Sequence, residues 1–208
     1  LQEKAHSLAP TRSSASQKVK ALSGMCATLY YMIKIILLLS QFVFAAPSTQ
    51  NLEGTYTKSC YNAEDDFMSG RLEIQGSKWT LSHIAYEDKT CETPYLIYEL
   101  RYDVNTKDSL ADMTTIQASY TSLSDVVTGV LNQIQWCGFT DWKTNEPKGV
   151  SGKVCEDYTP PRIGEVLYSI FKVNEKSQLF LGSPSKGMNG KTPATRYTEV
   201  DQLPFNKN

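Results

Sequence analysis

Beyond residue 45 the chain holds one histidine, His83, and four cysteines, Cys60, Cys91, Cys137 and Cys155. These, with the acidic run Glu64-Asp65-Asp66 and Glu73, are the side chains whose types could do chemistry. A single imidazole builds no metal cluster. No two of the four cysteines stand at the C-x₂₋₄-C spacing of a zinc site. One Ser-His-Asp set is arithmetically possible, but no G-x-S-x-G elbow exists to expose its serine. Gly70 and Gly76 form neither a dinucleotide-binding nor a Walker loop. The acidic run could pair with Glu73 as glycosidase-type carboxylates or bind calcium, yet it lacks the alternating ligands and sixth-position glycine of an EF-hand. A solvated turn accounts for it. No catalytic residue, metal or cofactor is therefore expected, and an enzyme using carboxylates or His83 is the weakest reading.

Four cysteines in an exported domain read as two disulfides. Three pairings are possible; Cys60–Cys91 with Cys137–Cys155 closes the two shortest loops. The second pair clamps CGFTDWKTNEPKGVSGKVC, a polar stretch with three glycines and one proline. A loop of that length cannot hold itself in place, and closing it is worth about 3 kcal/mol.

Export is expected from residues 32–45. The apolar run 35–46 is too short for a bilayer, which needs about 20 residues. Extending it back to Cys26 reaches that length only by placing Lys34 near the middle, at a cost of about 3 kcal/mol. A cleaved signal peptide fits better than an anchor or a core segment: Met32 and Lys34 as the n-region, 35–44 as the h-region, and Val43-Phe44-Ala45 before the cut. Residues 1–31 are basic, Ser-rich and without apolar period, and read as an unfolded upstream segment. Residues 46–51 read as a linker and 52–208 as one domain. The expected location is periplasmic or extracellular, with no permanent membrane anchor.

Residues 1–45 carry five basic and one acidic side chain of the chain's 21 and 22, which leaves 16 and 21 beyond them. A net charge near −5 excludes a phosphate-backbone binder, because nucleic-acid domains concentrate positive charge.

The elements that position these groups are mostly strands. Leu96, Tyr98, Leu100 and Tyr102 alternate with Glu99, Arg101 and Asp103, the pattern of an antiparallel strand with one dry face. On 78–87 the residues Trp79, Leu81, His83 and Ala85 share a face. Further strands are expected near 52–59, 67–75, 94–104, 111–120, 164–174 and 177–182, with turns at 75–77, 105–108 and 174–176. Apolar residues at 123, 126, 127, 130, 131 and 134 predict a helix over 123–135, with Ser122 and Asp125 as a capping box. A meander of seven or eight antiparallel strands must dispose of its edges, and an all-β up-and-down barrel does so while leaving room for packed side chains or one small ligand.

Three stretches carry a resemblance. LEGTY (52–56) stands where lipocalins have Gly-x-Trp, with Tyr56 replacing the tryptophan. GTYTKSC (54–60) and then Tyr86, Asp88, Cys91, Pro94 and Tyr95 within WTLSHIAYEDKTCETPYLIYEL (79–100) resemble the lipocalin-like barrel domain of secreted Wnt antagonists and related bacterial exported proteins. LFLGSPSKG and TEVDQLPF resemble the tails of the bacterial members. The resemblance implies a Cys60–Cys91 disulfide and non-catalytic binding of a lipid or other small hydrophobic molecule. On that reading Trp79, Tyr98 and Tyr102, with His83 on an inward face, line a cavity; otherwise the aromatics simply fill a core. The rival is a protein-interaction module with a solid interior, recognising its partner through the 137–155 loop, where Trp142 would be an exposed contact.

Overall fold

The computed structural model describes residues 51–63 and 66–208. The expected signal peptide at 32–45, the segment before it and Glu64-Asp65 lie outside the described residues. The rest is an antiparallel sheet with one α-helix, as the alternating pattern requires. Its long strands are β1 (Gly54–Ala63), β2 (Asp66–Gln75), β3 (Lys78–Tyr86), β4 (Pro94–Lys107) and β5 (Leu110–Ser122). Helix α1 (Asp125–Gln133) follows, and then β6 (Lys148–Gly149), β7 (Val166–Val173), β8 (Leu179–Ser183), β9 (Glu199–Val200) and β10 (Asn206–Lys207).

Neighbours in sequence are neighbours in the sheet, in the order β10-β1-β2-β3-β4-β5-β7-β8-β9, with β6 beside β5. The sheet curls into a barrel-like shell, and the C-terminal segment bridges its two ends. The Leu179 N–H donates to the Phe205 carbonyl at 2.8 Å and the Phe205 N–H returns to Leu179 at 2.7 Å. One residue later, β10 pairs with β1. Open backbone edges are thereby covered, as a sheet with a dry concave face demands.

Three short strands, β6, β9 and β10, were not expected; two residues carry no readable period. The β4–β5 hairpin is also longer than its sequence suggests. Asp108 takes φ +56°, which aspartate tolerates, so the turn tightens to Asp108-Ser109 and the ladder continues to Lys107 opposite Leu110. The helix is shorter than predicted and its cap is Ser124, not Ser122. Ser124 is extended and its Oγ accepts the Val127 N–H at 3.2 Å. Ser122 still belongs to β5 and is fully buried, its hydroxyl 2.8 Å from that of Thr128.

Packing follows the alternation. Trp79, Leu72, Ile74, Met113, Phe171 and Leu179 form the buried end of the interior, with Trp79 set edge-on to Phe171 at a centroid distance of 6.1 Å. Two irregularities decide what faces in. The β1 register shifts between Lys58 and Tyr61, and both turn inward. On β5, Thr115 pairs with Tyr102 while Gln117 pairs with Arg101, so the chain bulges at Ile116. Thr115 and Ala118 then both point inward and are buried, while Ile116 is exposed.

Candidate functional site

The strand registers line up one inward row across five strands: Lys58 opposite Gly70, Gly70 opposite His83, His83 opposite Tyr98, Tyr98 opposite Tyr120. Gly70 is required there. A methyl group on it would stand 3.0 Å from the Phe205 ring and 3.1 Å from Lys58 Cβ. The missing side chain lets the Phe205 ring lie over β2, and Lys58 Nζ in turn sits 4.9 Å above that ring and 5.4 Å above Tyr61. Lys58 is only 6 % exposed, and its ammonium pairs with Asp201 at 2.5 Å.

Along this row the interior divides into two chambers. One, about 370 Å³, is the more polar: Lys58, His83, Tyr102, Thr115, Tyr158 and Asp201 stand among aliphatic walls that include Leu81, Leu100 and Leu167. The other, about 750 Å³, lies under α1 and is mainly apolar, with Met68, Ala85, Leu96, Val127, Leu131 and Trp136 among its walls. Both volumes fall in the range of pockets that hold small molecules, about 300–1,000 Å³. His83 and Tyr158 border both chambers.

Aromatic contacts build the junction. Tyr98 stacks on Tyr120 at 4.6 Å and faces His83 at 6.4 Å, while Tyr158 meets Tyr98 edge-on at 5.8 Å. The Tyr98 and Tyr158 hydroxyls are 2.9 Å apart. Burial, and then the bond to Tyr158, holds the Tyr98 phenol far above its ordinary range; burial and Tyr158 push Tyr120 up to about 12. These phenols stay protonated and serve as neutral hydrogen-bonding groups.

His83 is partly exposed to the chambers but walled in by protein. Burial, and next the Lys58 charge, lowers its pKa to about 4, against an opposing pull from Asp201. No side-chain hydrogen bond joins it to another described residue. Its imidazole is neutral at pH 7. The unfolded chain, in which His83 titrates near 6.5, then binds more protons than the fold between pH 6.5 and 4. Stability should fall as pH drops through that window and level off below it. Discounted for partial exposure, the loss is about 2 kcal/mol. Urea unfolding at intervals from pH 7 to 4 measures it, and His83→Gln should flatten the slope.

Of the residues expected to line a cavity, His83 and Tyr98 stand directly opposite one another and Tyr102 borders the polar chamber. Trp79 borders neither chamber; it is 2 % exposed in the packed end. Trp142 is not an exposed contact. It is 3 % exposed, its Nε1 donates to the Trp136 carbonyl, and Asn132 clamps its backbone from α1 by two hydrogen bonds. The polar loop thus hides its tryptophan against the helix.

Sequence reasoning missed Lys58, Thr115, Tyr120, Tyr158 and Asp201. For Lys58 a signal existed, since it alternates with Tyr56 and so falls on the inward face, but a charged side chain reads as outward.

The cysteines form Cys60–Cys91 and Cys137–Cys155, with Cα separations of 5.9 and 4.1 Å. In the first, Asp88 organises the turn. Its carboxylate accepts the N–H groups of Thr90, Glu92 and Thr93 and the Thr90 hydroxyl, which, led by that hydroxyl, hold it well below the usual range. Tyr95 donates to Asp66 at 2.7 Å. Asp88, Cys91 and Tyr95 thus fix the β3–β4 connection against β1, through the disulfide, and β2, through Asp66. In the second, Cys155 and Tyr158 exchange backbone hydrogen bonds of 2.8 and 3.1 Å, so the disulfide sets the position of the Tyr158 ring at the junction.

Two disulfides point to an oxidising compartment. Among the described residues, no helix is long and apolar enough to cross a membrane, and no three His, Cys, Asp or Glu side chains gather as metal ligands. No protein-family model matches the sequence, and a search of curated proteins returns no match.

Proposed function

We propose that this protein is a non-catalytic binder of a small hydrophobic ligand, exported through a leader cut near Ala45 and working in a periplasm or outside the cell. The observation that carries this reading is the 750 Å³ chamber beneath α1, whose walls are mainly aliphatic and aromatic. A concave, mainly apolar space of this size is the usual form of a small-molecule site. The lipocalin-like resemblance of residues 52–104 supports the same reading, as does the position of His83, Tyr98 and Tyr102 on chamber walls. Absence of a nucleophile–base pair around His83 favours binding over turnover.

Titration with an environment-sensitive apolar fluorophore tests it. One equivalent should bind, and Ala85→Phe, which adds a ring to the apolar chamber, should weaken binding by at least about tenfold, equivalent to about 1.4 kcal/mol. Stoichiometric binding that Ala85→Phe leaves untouched, or none at all, contradicts the proposal. A protein-interaction module is the second reading, favoured by Val154, which is 69 % exposed within the 137–155 loop. A chain that takes up no apolar probe would leave that reading in front.

A further inference from the structure

The two chambers differ in chemistry and meet at two shared residues, which describes a site for a molecule with two ends. The apolar chamber offers one carboxylate, Asp66, already bonded to the Tyr95 hydroxyl. The polar chamber holds four charged side chains, and they cancel. Lys58 is neutralised by Asp201, while Lys191 and Glu165 are exposed and opposite in sign. What remains there is a set of uncharged hydrogen-bonding groups: the Tyr102, Tyr158 and Tyr197 phenols, Asn189 and Thr115. Thr115 is 2 % exposed, and its Oγ1 has no hydrogen-bond partner, an unusual state for a buried hydroxyl. It ends the regular inward row of Ala111 and Met113 on β5, and the bulge at Ile116 follows directly after it.

We propose that the ligand is a single-chain amphiphile with an uncharged, hydroxyl-bearing head, a fatty alcohol or a monoacylglycerol. Its chain fills the apolar chamber and its head passes between His83 and Tyr158 to bond with Thr115 and the surrounding phenols. This rests on the ligand-binding reading above and specifies its substrate class. A carboxylate head fits badly: Asp201 already neutralises Lys58, and a second anion beside it meets like-charge repulsion. Tyr158 is the element that must move: it is 46 % exposed, and only its hydroxyl contact with Tyr98 and the turn at Cys155 hold it over the junction.

Competition against the apolar fluorophore at neutral pH tests the head group, using monoolein, oleyl alcohol and oleate, which share one chain. Monoolein and oleyl alcohol should displace the probe at least about tenfold more tightly than oleate. Thr115→Val, nearly isosteric, should weaken oleyl alcohol about tenfold and by more than it weakens the fluorophore, as expected for one lost hydrogen bond to a buried partner. Asp201→Asn should narrow or invert the preference, because it frees the Lys58 charge for oleate. Oleate binding as tightly as oleyl alcohol, or a Thr115→Val variant indifferent to the head, overturns this inference alone. Failure of the fluorophore itself to bind overturns the ligand-binding reading together with it.

Discussion

Asp201→Ala should lower the unfolding free energy by about 3 kcal/mol, whereas Lys58→Met should cost less than about 1 kcal/mol. The two side chains make one ion pair, but they do not share an environment. Lys58 is 6 % exposed at its side chain and Asp201 is 41 % exposed. Taking away the aspartate strands an ammonium group inside the shell, with only the Phe205 and Tyr61 rings to face it. Removing a partner from a buried pair costs about 3–5 kcal/mol, and the half-exposed partner places this case at the low end. Removing the lysine instead leaves a carboxylate that water can reach and that still accepts the Leu203 N–H at 3.0 Å. Methionine also keeps most of the apolar stem packed over Gly70. Urea unfolding of both variants and of the double substitution measures the asymmetry. The double variant should recover most of the Asp201→Ala loss. Equal losses for the two single variants would mean that Lys58 reaches water and that the polar chamber is wetter than its walls imply.

Replacing Cys137 and Cys155 together by serine should cost about 3 kcal/mol, because the bridge closes a loop with a sequence separation of 18. The loop has other ties. Asn145 donates to the Ser122 carbonyl and Val150 to that of Ala118, and Asn132 grips the Trp142 backbone. These lie before Lys153, so the remaining slack falls on Val154 to Tyr158. The loss should therefore be local as well as global. Tyr158 loses its anchor three residues away, and the junction between the chambers opens more often. Release of the apolar fluorophore, followed by stopped flow, should quicken in the serine variant by more than in Cys60→Ser/Cys91→Ser, although the longer Cys60–Cys91 separation of 31 makes that pair at least as important to stability. Equal release rates in the two variants would detach Tyr158 from control of the junction.

Much of this architecture was legible in the residues. The period-two runs around Trp79–Ala85 and Leu96–Tyr102 gave both strands and their inward faces, and the registers set Trp79 opposite Tyr102 and His83 opposite Tyr98. Alternation works there because one face is dry and the other wet. The shortest-loop pairing of the cysteines matches the disulfides observed. What alternation cannot reveal is a break in itself. The shift between Lys58 and Tyr61 and the bulge at Ile116 each change which side chains face in, and both depend on partner strands far away in sequence. Asp201 and Phe205 reach the site only because the C-terminal segment crosses from β8 to β1, a connection carried by one isolated bridge and a two-residue ladder. The six apolar positions over 123–134 suggested a helix buried along a wide stripe. Instead Val126 is 78 % exposed and Val130 and Ile134 nearly half, with the latter two at the border of the apolar chamber. A helix roofing a cavity has fewer contacts on its inner face than one packed on a solid core.

The central claim is that this interior is built around a guest, and it can be weighed directly. Mass measured under native conditions on protein isolated from its own source, before and after extraction with organic solvent, should differ by one lipid-sized molecule per chain, and the extract should contain an amphiphile without a charged head. An unchanged mass, from protein that afterwards takes up neither monoolein nor an apolar fluorophore, would contradict it.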